Sequence, residues 1–234
     1  MLRTSCIPTL FTTVDILIID NILITVHAIR LQKQAVEMPP TKSRSNTKYP
    51  VYIVLGSGGH TAEMCTINMA LLGTDKGKRI YEPLRYVIAN DDTTSRSRIT
   101  SAMQRVGVAL DDTSFIYVPR SRKVGQNYFS SVFTTLWALL WSFWLVWCDQ
   151  PKLLLCNGPG TCLPFCIAVY AWKKLGRLSC NTKIVYVESW CRVRTLSLSA
   201  KLLRPFLDLL VVQWPALAEN YKNSNNVKYF GKIM

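Results

Sequence analysis

Short apolar runs recur along this chain at 51–55, 85–89, 114–118, 152–156, 183–188 and 208–213, with a briefer one at 227–230. Longer stretches with helical character separate them, at about 60–72, 94–107, 128–147, 162–176 and 197–207. The short runs are rich in β-branched residues and lack polar alternation, the pattern of strands buried on both faces. Strands of that kind need helical crossovers, so the chain is expected to be an α/β protein with a single Rossmann-like, doubly wound parallel sheet. No internal repeat stands out.

The first run leads straight into glycine: "VYIVLGSGGHTAEM" (51–64). In a parallel α/β sheet ligands gather at the carboxyl ends of the strands. A strand-to-helix turn there offers free backbone N–H groups and the positive end of a helix dipole, a setting for an anion such as a phosphate or diphosphate. Gly56, Ser57, Gly58, Gly59, His60 and Thr61 form this candidate loop. It is neither a GxxxxGK[ST] phosphate loop nor a GxGxxG dinucleotide fingerprint. A second turn of the same kind, "NGPGT" (157–161), follows the fourth run, with Asn157, Gly158, Gly160 and Thr161 as candidates. Two such turns on one sheet edge are suited to the two ends of a diphosphate.

Three further groups lie at strand ends. His60 can donate to a phosphate or act as a general acid or base near neutral pH, or simply cap its loop. Glu188, in "YVESWCRV", can bind a sugar hydroxyl or pair with Arg192 and Arg194. Asp91 and Asp92 follow the second strand, where a carboxylate can hold a ribose, although capping of the next helix is the simpler expectation.

Charged residues are 18% of the chain, against roughly 25% in an average soluble domain, and 49% are hydrophobic. The net charge is nevertheless +14. An apolar and basic chain suits an anionic membrane surface or a phosphorylated ligand; no nucleic-acid motif is present. Residues 7–31 are long enough to cross a bilayer, which takes about 20 residues. Asp15, Asp20 and Asn21 are costly there, so residues 1–31 are expected to anchor the chain by spanning or by lying in the interface. Residues 32–50 form a basic, proline-containing linker, and their lysines and arginines place residues 51–234 on the cytosolic side. Residues 128–147 carry no charge, but the two glycine turns flank them and must share one side of any membrane. Phe129, Phe133, Trp137, Trp141 and Trp144 make one aromatic stripe, while Ser131, Thr135, Ala138 and Ser142 fall on another side. The expectation is membrane docking by the stripe, the alternatives being an ordinary crossover helix or a second span. The eight cysteines include no CxxC pair and no completed zinc set, which favours reduced thiols and no metal.

"LGSGGHTAEM", "NGPGTC", "YVESWCRV", "VVQW" and the terminal "YFGKIM" together resemble the family of membrane-anchoring subunits of the UDP-N-acetylglucosamine transferase in dolichol-linked, asparagine-linked glycosylation. More distantly, the chain is similar to the N-terminal half of the bacterial glycosyltransferase that adds N-acetylglucosamine to a lipid-linked peptidoglycan precursor. That half has a glycine-glycine-histidine loop matching 56–60, a second glycine loop matching 157–160 and a strand-end glutamate matching Glu188. The resemblance implies half of a GT-B glycosyltransferase split across a heterodimer. This chain would be the acceptor side and anchor, inactive alone and without a cofactor. A soluble UDP-N-acetylglucosamine-binding subunit would be its catalytic partner, and the transferase that adds the preceding N-acetylglucosamine phosphate a further one. The acceptor would be dolichyl diphosphate N-acetylglucosamine at the cytosolic face of the endoplasmic reticulum, or of the continuous nuclear envelope. His60 is the first candidate for the base and Glu188 the second. The apolar end, Tyr229, Phe230, Ile233 and Met234, is expected at the partner interface. Competing readings are a pure scaffold that touches no substrate, a stand-alone glycosyltransferase, which the short tail after 208–213 disfavours, and a nicotinamide-dependent oxidoreductase using Asp91.

Overall fold

The computed structural model describes residues 48–121, 128–158 and 160–231, with the side chains of 128–131 outside that description. The expected anchor, most of the linker, Ile233 and Met234 therefore lie outside the described residues.

Seven strands run parallel in one sheet: β1 (Val51–Val54), β2 (Leu84–Ala89), β3 (Phe115–Val118), β4 (Leu153–Asn157), β5 (Lys183–Val187), β6 (Leu209–Val212) and β7 (Val227–Tyr229). Their order is β3-β2-β1-β4-β5-β6-β7. Between them lie α1 (Gly59–Leu72), α2 (Asp75–Ile80), α3 (Ser95–Arg105), α4 (Tyr128–Asp149), α5 (Cys162–Lys174), α6 (Leu198–Leu203) and α7 (Pro215–Glu219). This is the Rossmann-like α/β sheet that the alternation predicts, extended by β7.

The missing polar alternation has a direct cause. Val51, Ile53 and Leu55 pack with Met64 and Leu72 of α1 and Ile99 and Met103 of α3. Tyr52 and Val54 face the other way, into a second core with Val146 of α4, Phe165 of α5 and Leu203 of α6. Both faces of β1 are dry, so both must be apolar.

Two short helices escape the sequence reading. In α2 the Thr74 hydroxyl accepts the Gly77 N–H at 3.0 Å, a cap that supports a six-residue turn. In α7 a proline opens the helix, where its missing N–H costs nothing. The helix expected over 197–207 stops at Leu203, because Pro205 cannot supply the next N–H and the chain tightens into a 3-10 turn over Arg204–Phe206.

The crossover α4 joins β3 to β4 of the same sheet, so both ends are tied to one body. Ala138, Ser142 and Val146 are buried. The Thr134 and Thr135 hydroxyls donate to the Ser121 carbonyl at 2.7 and 3.1 Å, and the Trp172 indole N–H donates to the Phe143 carbonyl at 3.0 Å. The opposite side is open: Phe133 is 67% exposed, Trp137 57%, Trp141 42% and Trp144 63%. Phe129 belongs to the helix, but its side chain lies outside the described residues. Val132–Asp149 is long and apolar enough to cross a membrane, with 17% of it buried.

Candidate functional site

From β1 the chain builds outward to β2 and β3, then crosses back to start β4 on the other side of β1. The carboxyl ends of β1 and β4 therefore flank the point where strand order reverses, the crevice in which such sheets bind ligands. Both glycine turns open there, and the end of β5 adjoins them through the pairing of Asn157 with Val187.

At the first turn Gly58 takes φ 68°, a left-handed conformation that suits glycine, and caps α1. No side chain caps α1, and its first turn has no acidic residue. The helix α5 begins after Thr161 in the same bare way. The first-turn N–H groups of α1 are thus left to water or a ligand; in α5 the Leu163 N–H goes to the Gly160 carbonyl at 3.2 Å and Pro164 has none, which leaves Cys162. Gly58 and Gly59 are exposed, and a Cβ added at either would meet nothing within 4 Å. Ser57 is half-buried and Gly56 buried.

The second turn is locked onto the first. Gly158 has φ 104°, and a Cβ there would lie 2.6 Å from His60 Cγ. The His60 ring occupies the space that any other residue at 158 would need. The Tyr186 hydroxyl donates to the Gly158 carbonyl at 2.5 Å and ties the turn to β5.

Behind His60 stands a polar chain. His60 Nδ1 is 2.9 Å from Asn157 Oδ1. Asn157 Nδ2 donates to Glu63 Oε2 at 2.7 Å. Glu63 Oε1 accepts the Ser189 hydroxyl at 2.8 Å and the Trp190 N–H at 3.0 Å. Glu63 is 5% exposed and Asn157 fully buried, whereas the His60 side chain keeps 31% of its surface. The Glu63 carboxylate raises the His60 pKa above its ordinary 6.5, against burial and with help from Asn157. Burial alone would raise the Glu63 pKa, but the His60 imidazole, with Nδ1 3.7 Å from Oε2, and the bonds from Asn157, Ser189 and Trp190 outweigh it and hold the carboxyl below its ordinary value.

Glu188 is 1% exposed and serves the loop after β5. Its Oε1 accepts the Ser189 N–H at 3.0 Å and its Oε2 the Ser197 N–H at 2.8 Å. Its bonded partners are backbone groups, not the Arg192 or Arg194 guanidinium that is one of the two alternatives the sequence leaves open. Thr61 is also turned inward: its hydroxyl donates to the Gly56 carbonyl and lies 2.7 Å from Ser95 Oγ. Asp92 completes that group, accepting the Ser95 hydroxyl at 2.6 Å and the N–H groups of Thr94 and Ser95 at 3.1 and 3.0 Å. It caps the start of α3, while Asp91 pairs with Arg120 at 2.8 Å.

The structure thus brings His60, the two glycine turns and the β5 end together. Thr161 is 7% exposed. Asn157, Thr61 and Glu188 hold the loops from beneath with their side chains, and Gly58, Gly59 and His60 form the open surface. Sequence reasoning missed two residues. Glu63 sits three places after His60, hence on the same helix face; that spacing was the available signal. Arg98 of α3 donates to the Gly58 carbonyl at 3.2 Å and adds a positive charge beside the open loop. Among the described residues, no three His, Cys, Asp or Glu side chains are grouped to hold a metal ion. The described cysteines are free thiols.

A family model described as "Oligosaccharide biosynthesis protein Alg14 like" matches residues 51–233. The mouse protein called "UDP-N-acetylglucosamine transferase subunit ALG14" is 43% identical over 189 residues, covering 78% of this chain and 82% of the relative. The human protein of that name is 41% identical over 208 residues, covering 86% and 88%. The Schizosaccharomyces pombe one is 39% identical over 191 residues, covering 79% and 86%. Among solved structures, Acinetobacter baumannii MurG aligns with TM-score 0.51 at 12% identity, over 78% of this chain and 44% of that one. A UDP-N-acetylglucosamine 2-epimerase aligns with TM-score 0.51 at 15% identity, over 77% and 47%. Those two likenesses show the fold alone.

Proposed function

The chain belongs to the Alg14-like family of oligosaccharide biosynthesis proteins, and we propose from that premise that it is the membrane-anchoring, acceptor-side subunit of a UDP-N-acetylglucosamine transferase. The acceptor is dolichyl diphosphate N-acetylglucosamine, and the complex adds the second N-acetylglucosamine. A soluble subunit binds the UDP-sugar and completes the active site.

The observation that carries this reading is the meeting of two uncapped helix N-termini at the reversal point, with His60 between them. Backbone N–H groups at Gly59 and at the start of α5 hold the diphosphate of the acceptor. The acceptor hydroxyl attacks the anomeric carbon of the donor. As the new C–O bond forms, the bond to the UDP oxygen breaks and UDP departs with the electron pair. The hydroxyl proton passes to a base, for which His60 is the candidate on this chain.

The exposed aromatic face of α4 gives the domain a second hold on the bilayer, beyond the expected N-terminal anchor. Indole rings favour the interfacial zone, and docking by this face brings the crevice close to a lipid-borne acceptor. The location that follows is the cytosolic face of the endoplasmic reticulum. After β7, Tyr229 packs beside one core and Phe230 beside the other; Tyr229, Phe230, Ile233 and Met234 are the apolar residues assigned to the partner interface. Removal of residues 231–234 should weaken co-purification with the partner; unchanged co-purification would sink that assignment.

The deciding experiment measures transfer to a short-chain dolichyl diphosphate N-acetylglucosamine in membranes containing this chain, with and without the soluble partner. Activity only with both supports the split enzyme. If the complex forms and His60→Ala, Gly59→Ala and Gly158→Ala all leave transfer intact, the chain is a scaffold that touches no substrate.

A further inference from the structure

Glu63 contributes to a chain of bonds whose donors and acceptors can be assigned in one order. The carboxylate only accepts, so the group of Asn157 facing it must be the NH2. That orientation turns Asn157 Oδ1 toward His60, and an amide oxygen also only accepts. His60 Nδ1 must therefore carry hydrogen. The neutral ring then has its lone pair on Nε2, away from the chain.

We propose that Glu63 is a positioning residue for transfer: acting through Asn157, it selects the His60 tautomer whose Nε2 is free to take the acceptor's proton. The proposal rests on the reading of His60 as the base. Glu63 has the requirements of such a part. It is 5% exposed, and both its oxygens are engaged, by Asn157 on one side and by Ser189 and Trp190 on the other. It thereby anchors the tautomer to the ends of β4 and β5 at once, and the close fit of Gly158 against the ring prevents His60 from swinging out of line.

Replacement by glutamine inverts the order. The amide side chain can keep the Ser189 and Trp190 bonds through its oxygen, but it then presents an NH2 toward Asn157. Asn157 must turn over, and its own NH2 then faces His60 Nδ1. The ring is driven to the other tautomer, with hydrogen on Nε2 and no base toward the crevice. The charged groups around His60 are Glu63 on its own helix, Glu188 at the end of β5, and Arg98 of α3, which reaches the Gly58 carbonyl. Removing the Glu63 charge takes away the largest influence that keeps the imidazolium protonated.

The test uses the assembled membrane complex with its soluble partner and follows kcat and kcat/KM against pH for wild type, Glu63→Gln, His60→Ala and the double variant. Glu63→Gln should lower kcat by about 100-fold, the lower end for loss of a general base. The acidic limb of kcat/KM should move to lower pH, and Glu63→Gln should cost nothing further in the His60→Ala background. If His60→Ala is severely impaired while Glu63→Gln keeps kcat within about threefold, or multiplies its loss onto that of His60→Ala, or leaves the acidic limb in place, the positioning role is overturned and the base reading stands. If His60→Ala transfers normally, both fall. Should Glu63→Gln fail to assemble, Asn157→Ala cuts the same chain at its middle while leaving the Ser189 and Trp190 bonds in place; the kcat and double-variant outcomes then apply, without the acidic-limb shift, because the Glu63 charge remains.

Discussion

Replacing Gly158 with alanine should disable this chain through His60. The new Cβ would sit 2.6 Å from Cγ, 2.8 Å from Nδ1 and 2.9 Å from Cδ2 of the ring, whereas ordinary contact begins at 3.4 Å. The ring must retreat by about 0.8 Å, from 2.6 to 3.4 Å, or the turn must move by as much. The φ of 104° adds strain of roughly 1–3 kcal/mol for a residue with a Cβ. Overpacking a well-filled site adds roughly 1–3 kcal/mol more. The expected loss is therefore about 2–6 kcal/mol in stability. A displacement near 1 Å at a reacting group costs roughly 100-fold in rate. Purified complex would be compared by thermal unfolding and by transfer assay. Removing the ring should remove the clash, so Gly158→Ala should cost less stability in a His60→Ala background, leaving the φ strain. Gly59→Ala is the control for stability, because its Cβ would meet open space. If Gly158→Ala unfolds within about 0.5 kcal/mol of wild type, or costs the same with and without the imidazole, the locked packing of the two turns is wrong.

The His60–Glu63 pair should stabilise the fold in a bounded pH window. The His60 part is fully present below its ordinary 6.5 and fades as pH rises through the raised folded value; the Glu63 part is present above its ordinary 4.5 and fades as pH falls through the lowered folded value. The gap in unfolding midpoint between wild type and His60→Ala should therefore narrow on the alkaline side, and a gap that widens there would contradict the pairing. Thr61→Val keeps the shape but removes the bond to the Gly56 carbonyl and the polar contact with Ser95, and denaturant unfolding should show a loss of about 1–3 kcal/mol. Serine in place of Phe133, Trp137 and Trp144 together should leave stability within roughly 1 kcal/mol, because these side chains are mostly exposed. The same triple variant should bind anionic vesicles more weakly in a flotation assay, and equal binding would remove α4 from the membrane contact.

Much of the fold was legible because burial on both faces leaves a local trace. "VYIV" and "LLLC" are apolar throughout, and each becomes a strand with a core on either side. The glycine turns were legible for a similar reason, since Gly58 and Gly158 take backbone angles that other residues adopt at a cost. Individual roles were harder to read. Thr61 and Asn157 are polar residues in candidate binding loops, yet both are buried and bonded beneath the surface. Glu63 gave no strong signal, because what makes it a hub lies 94 residues away at Asn157 and 126 away at Ser189.

What local sequence carries is the seven strands, the longer helices, the turns through glycine, and the aromatic stripe of α4 opposite small and polar residues. Those properties depend on neighbours within a few positions, through hydrogen-bond periodicity, steric limits and local polarity. Tertiary structure decided that β4 lies against β1, that the His60 ring fills the space over Gly158, and that Glu63 reaches it through Asn157. These are meetings between distant segments, selected when the two cores close around the sheet and every buried polar group must find a partner.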